Sequence, residues 1–166
     1  NTNRTAHNNL TGWALFVRAY AFNELAQLFA PPYDDGSAYR DLGIPLRLDP
    51  DPEAKSVRAT VKQTYDRIIA DLQKSISLLP LTPDIHHTNR PSRAAAWSML
   101  ARVYITMRWY TQAGAAADSS LRLHDQLIDY NQINKNAPYP FSHENIETLY
   151  QSRILSSSSI PIGFAI

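Results

Sequence analysis

Apolar residues recur along this chain with the period of a helix. The cleanest run is Val61, Tyr65, Ile68, Ile69, Leu72, Ile76 and Leu79, which returns to one helical face every three or four residues. Lys62, Asp66, Arg67, Gln73 and Lys74 fall on the opposite side, which is expected to face solvent. Nearer the start, Trp13, Phe16, Val17, Tyr20, Ala21, Leu25 and Leu28 form a broader apolar face. Prolines mark the breaks, since residues 1–30, 53–79 and 92–137 contain none. Four principal helices are predicted, near 10–29, 58–79, 92–108 and 111–124. Thr60 with Gln63 makes a capping box, and Ser92 and Thr111 are candidate N-caps. Pro31-Pro32 and Pro80 stop the first two helices.

The last two helices carry a more specific pattern. Trp97, Leu100, Ala101 and Tyr104 are followed by Tyr110, Ala113 and Ala117. Antiparallel helices approach closely where small residues sit at the crossing, and large ones fill the space around it. Those are tetratricopeptide spacings, and such a hairpin buries its apolar face only by stacking on neighbours. The fold class is therefore mainly all-α: tetratricopeptide-like hairpins over 1–124, a long loop insertion at 30–57, and an irregular segment over 125–166. Strand is expected to be scarce and confined to the region after residue 125, with Glu147–Tyr150 as one short candidate. The apolar end Ile160–Ile166 is expected to pack on other polypeptide.

Composition narrows the function. An apolar share of 44% supports an ordinary core, and sixteen basic against fifteen acidic residues leave no basic stripe for nucleic acid. Cysteine is absent, which removes disulfides, thiol catalysis and cysteine metal sites. There is no nucleophile elbow, Ser-His-Asp order or phosphate-cradling glycine loop. A glycan hydrolase needs two carboxylates on opposing walls of a cleft, whereas the acids here cluster in loops or along solvent faces. No enzyme activity, metal or cofactor is expected.

The candidate metal clusters resolve into loop chemistry. Adjacent His86 and His87 point to opposite sides of an extended chain. His143 with Glu144 and Glu147 lacks a further ligand. Asp34, Asp35, Asp49 and Asp51 match no calcium-loop spacing and suit turns. Aromatic residues are the remaining resource, because sugar C–H faces stack on aromatic rings while carboxylates bond the hydroxyls. Tyr33, Tyr39 and Tyr139, with Asp34, Asp35 and Arg40, are the candidate ligand platform, against the alternative that the rings pack down on the helices. Trp13 and Trp97 are core; Trp109 suits either role. Arg18 is expected to hydrogen-bond a loop carbonyl.

A series of phrases then falls in order. Arg18-Ala-Tyr20 precedes Leu25-Ala-Gln-Leu-Phe29, Pro31-Pro-Tyr33 and Leu42-Gly-Ile-Pro-Leu46. Arg58-Ala-Thr-Val61, Tyr65-Asp-Arg-Ile-Ile69, Asp71-Leu72 and Leu78-Leu-Pro80 follow. Arg93-Ala-Ala-Ala96, Leu100-Ala-Arg-Val-Tyr104, Pro140-Phe141 and Asn145-Ile-Glu147 complete it. The ordered series, over about residues 9–153, closely resembles the SusD/RagB family of nutrient-binding outer-membrane lipoproteins. The resemblance implies a lipid-anchored, surface-exposed protein of the outer membrane, whose anchor is absent from this chain. It implies non-enzymatic capture of a nutrient, most simply an oligosaccharide, as partner of a SusC-like TonB-dependent transporter. Lys62, Asp66, Arg67 and Lys74 are then the expected transporter-facing surface. The family's long C-terminal part is also absent, so most ligand-binding residues are expected outside this chain. The competing reading is a generic tetratricopeptide scaffold for protein–protein interaction, against which the 30–57 insertion counts.

Overall fold

Local capping chemistry sets the helical frame. The computed structural model describes residues 2–51, 53, 55–141 and 145–152. Helix α1 spans Thr2–Phe29, β1 Leu42–Pro45, β2 Arg58–Thr60, α2 Val61–Leu78, α3 Arg93–Thr106 and α4 Tyr110–Leu121, and a 3-10 turn lies at Tyr130–Gln132. The capping box at α2 forms in both directions: Gln63 N–H donates to Thr60 Oγ1 at 3.1 Å, and Thr60 N–H donates to Gln63 Oε1 at 2.9 Å. Ser92 caps α3 by accepting the Ala95 N–H at 3.2 Å.

Helices α3 and α4 pack antiparallel, with Ala101, Ala113 and Ala116 buried and Ser120 Oγ donating to Ala94 C=O at 2.9 Å. Their turn is a complete Schellman motif. Arg108 N–H bonds Ile105 C=O at 2.9 Å, Trp109 N–H bonds Tyr104 C=O at 2.9 Å, and the Tyr104 and Trp109 rings stack at 6.0 Å. The left-handed position, φ 62°, is held by Arg108 and not by glycine. This turn delivers Tyr110 directly into α4, so Trp109 takes the N-cap place with no side-chain cap, and Thr111 lies inside the helix. The core runs through all four helices and includes Phe16, Val61, Ile68, Leu72, Leu100 and Val103.

Other expectations are corrected. Helix α1 starts at Thr2, and its buried face is Phe16, Ala19, Phe22, Asn23 and Ala26; Val17, Leu25 and Leu28 are exposed. Strand occurs at the insertion and not after residue 125: β1 lies within it and pairs antiparallel with β2 just past its end, Leu42 opposite Thr60 and Pro45 opposite Arg58. Arg58 therefore precedes α2 instead of starting it. Residues 147–150 form no strand: Thr148 N–H turns back to Asn145 C=O, and Gln151 N–H reaches Thr88 C=O. The apolar end at 160–166 lies outside the described residues.

Arg18 finds a carboxylate instead of a loop carbonyl. It clasps Asp71 through Nε at 2.7 Å and Nη2 at 2.8 Å, and these bonds raise the guanidinium pKa further. Arg67 adds an Nη2 contact to the same carboxylate at 3.2 Å. Asp71 is 3% exposed, and this buried anion is paired with one cation across the α1–α2 interface and a second from its own helix.

Candidate ligand-binding end of the bundle

The ends of α1 and α3 and the starts of α2 and α4 meet at one end of the bundle, and the insertion begins there. Asp34 Oδ1 accepts the Gly36 N–H at 2.9 Å, and Asp34 C=O accepts the N–H groups of Ser37 and Ala38. This turn is tied to the first turn of α2, since Val61 N–H donates to Asp41 C=O and Lys62 N–H to Ala38 C=O. Arg58 staples the base, with Nε on Gly43 C=O at 2.7 Å and Nη2 on the carbonyls of Leu42 and Phe29 at 2.8 and 3.1 Å. The Phe29 contact places a cation at the C-terminus of α1, where the helix dipole favours it.

Tyr33 is 4% exposed, edge-on to Tyr65 at 5.2 Å and to Trp109 at 6.0 Å. Burial, with a hydrogen bond to Asp35, pushes its phenol up to about 12. Its ring joins the core and offers no open stacking face, because the Pro31-Pro32 exit directs it inward. Tyr39 is 57% exposed, and the Arg40 guanidinium lies 4.9 Å from its ring centroid. Asp34 and Asp35 are exposed beside them. Tyr139 is also exposed, but it belongs to the segment after α4, which leaves the bundle at the opposite end.

The charged set on α2 divides. Lys62 and Asp66 pair at 2.7 Å on the surface, close to the Tyr33 turn. Lys74 is exposed further down the helix. Arg67 is corrected: it turns toward Asp71 and is half-buried, because the carboxylate one turn on draws it inward.

The remaining candidates do structural work. Asp49 and Asp51 accept the N–H groups of Asp51 and Glu53, each at 2.9 Å. Asp84 accepts the His86 N–H and meets His87 Nδ1 at 2.8 Å, contacts that lower its pKa, the His87 bond most. Glu147 accepts the Ile128 N–H, while His143 and Glu144 lie outside the described residues. Among the described residues no group of three or more His, Asp or Glu is arranged to hold a metal ion.

Sequence reasoning missed a cleft of about 410 Å³ between α1, α3 and residues 145–152. Phe16, Tyr20, Ser98, Arg102, Glu147 and Tyr150 line it. Tyr150 packs edge-on against Phe16 at 4.8 Å and Tyr20 at 5.8 Å. The spacing of Phe16 and Tyr20 marks a helix face, but only the fold shows that residues 145–152 meet it across a cleft.

The class of protein is thus a helical-hairpin scaffold with a stapled two-stranded insertion at one end. A family model described as "Starch-binding associating with outer membrane" matches residues 1–105, and the chain belongs to this SusD-like family. A SusD superfamily protein of Bacteroides thetaiotaomicron is 28% identical with a TM-score of 0.69, over 80% of this chain and 29% of that one. Another, from Bacteroides vulgatus, is 28% identical with a TM-score of 0.69, over 78% of this chain and 30% of that one. A laminarin-binding SusD-like protein shares the fold at 22% identity and a TM-score of 0.57, over 76% of this chain and 25% of that one. The chain thus spans less than a third of the length of these solved relatives. None of the curated proteins matches it. The family is associated with the outer membrane, and no helix among the described residues is long and apolar enough to cross one.

Proposed function

We propose that this chain is the helical part of a non-enzymatic subunit that captures oligosaccharides at the outer membrane. Membership of a family described as starch-binding carries the reading. The exposed Tyr39–Arg40 pair beside Asp34 and Asp35 supports a location for part of the contact. An aromatic face suits a sugar ring, and the flanking carboxylates and guanidinium suit its hydroxyls. Tyr33 serves as the buried post under that turn, and Tyr139 stands apart from it. In the complete gene product, Tyr39→Ala and Arg40→Ala should each weaken oligosaccharide binding about three- to tenfold in calorimetry, roughly 0.7–1.4 kcal/mol. Unchanged affinity in both would remove this turn from the site; no binding across a glycan array would remove the capture function.

The partner in this reading is a SusC-like TonB-dependent transporter, with the protein lipid-anchored at the cell surface beside it. Lys62, Asp66 and Lys74 offer the exposed charged surface for that contact. Arg67, committed to Asp71, would act there only indirectly. Reversal of Lys62 and Lys74 to Glu should reduce co-purification with the transporter while leaving Tm nearly unchanged, since exposed charges add little stability. Full co-purification would place the contact elsewhere.

A further inference from the structure

The outward face of α1 is apolar along most of its length. Between Leu10 and Phe29, every exposed residue except Gln27 is apolar. On α2 the reverse holds, and Ala70 is the one apolar residue among the exposed ones. Leu10, Ala14, Val17, Ala21, Leu25 and Leu28 form a continuous stripe, with Leu10 64% and Leu28 75% exposed. The stripe is distinct from the buried face of α1, which carries Phe16, Ala19, Asn23 and Ala26. A helix that is hydrophobic all round is a buried helix. A terminal helix of a stacked array carries a polar outer face, so α1 has the character of an internal one.

We propose that a helix from polypeptide outside these 166 residues, in the same molecule, packs along this stripe. The spacing specifies a helix. Leu10 and Val17 lie one heptad apart, as do Ala14, Ala21 and Leu28, which is the seam of a shallow helix crossing. The small Ala14 and Ala21 allow the two backbones to approach, and the seam runs roughly 27 Å at about 1.5 Å per residue. The source follows from length, since the solved relatives have more than two-thirds of their chain beyond the part matched here. A lipid surface fits poorly: it calls for flanking lysine or arginine, yet Arg18 is turned to Asp71 and Glu24 borders the stripe.

The absence of cysteine from these residues gives a direct test. Val17→Cys, Leu28→Cys and the α2 reference Gln73→Cys are placed singly in the complete gene product. Maleimide labelling of each site is then followed by peptide mass spectrometry. Positions 17 and 28 should label at least tenfold more slowly than 73 in the monomeric product, and as fast as 73 in the 166-residue chain. Ala21→Trp should lower the Tm of the complete product by several degrees and leave that of the 166-residue chain unchanged. Equal labelling of all three sites in the complete product overturns the proposal. So does protection that disappears on dilution, which assigns the stripe to a second copy, or protection that requires phosphatidylglycerol vesicles, which assigns it to a membrane.

Discussion

Replacing Asp71 by alanine should be far more damaging than replacing Asp66, although each carboxylate sits 2.7 Å from its cationic partner. Asp71 is almost fully buried and receives both Arg18 and Arg67, whose side chains are only 29% and 34% exposed. Its removal leaves two cations facing each other across the α1–α2 interface. Breaking a buried pair from one side costs about 3–5 kcal/mol. Both guanidinium groups retain some access to water, so a loss of about 2–4 kcal/mol is expected. Lys62 and Asp66 are each about half exposed, and their pair should contribute about 0.5 kcal/mol or less. For a chain of this size the Asp71→Ala loss corresponds to a Tm decrease of roughly 5–15 °C. Urea unfolding followed by far-UV circular dichroism measures both variants, and a shared slope shows that the same surface unfolds. Arg18→Met with Asp71→Leu should recover part of the loss, because one cation leaves with the buried carboxylate while Arg67 stays behind without it. An Asp71→Ala variant within about 0.5 kcal/mol of Asp66→Ala would refute the argument.

Arg108→Gly should raise stability by about 0.5–1 kcal/mol, since glycine enters the left-handed region without the Cβ penalty; a lower Tm would give the Arg108 side chain a contact role. Gly43→Ala should destabilise, because its Cβ would stand 2.3 Å from Thr64 Oγ1 and 2.7 Å from Thr60 C=O; an unchanged Tm would contradict the close approach of the ribbon to α2. The Tyr33 phenol titrates higher folded than unfolded, so its contribution is complete below pH 10 and declines as pH rises toward about 12. Tyr33→Phe should accordingly show a shallower alkaline loss of stability over that interval, and an identical pH profile would contradict burial of the hydroxyl.

Features decided within a few residues were legible. The Thr60–Gln63 box, the Ser92 cap, the Pro80 stop and the period of α2 each rest on spacings of one or two turns. The Schellman turn was less so, because its usual glycine is an arginine. The ribbon was not, since its strands are four and three residues long and acquire meaning only when Leu42 meets Thr60. Nor was the Arg18–Asp71 clasp, whose partners lie fifty-three residues apart. The face of α1 was misassigned because apolar residues surround that helix, and its periodicity cannot choose between two apolar sides. For the candidate site, composition placed Tyr33 and Tyr39 in one loop, but only packing separates the buried ring from the exposed one.

The Arg58 staple also governs how this scaffold can diversify. Arg58, Gly43 and the Val61–Asp41 bond fix the stem of the insertion, while residues 46–51 and 55–57 lie beyond the last paired rung, where Arg47 bonds Asp51 and Ser56. Lengthening a flexible loop is thermodynamically inexpensive, about 0.6 kcal/mol for each doubling. A lineage can therefore exchange the tip, in length and in sequence, without altering the register of the four helices beneath it. The same independence makes the exposed tip at Asp49–Asp51 a natural place to graft a reporter peptide, with the bundle as an undisturbed handle.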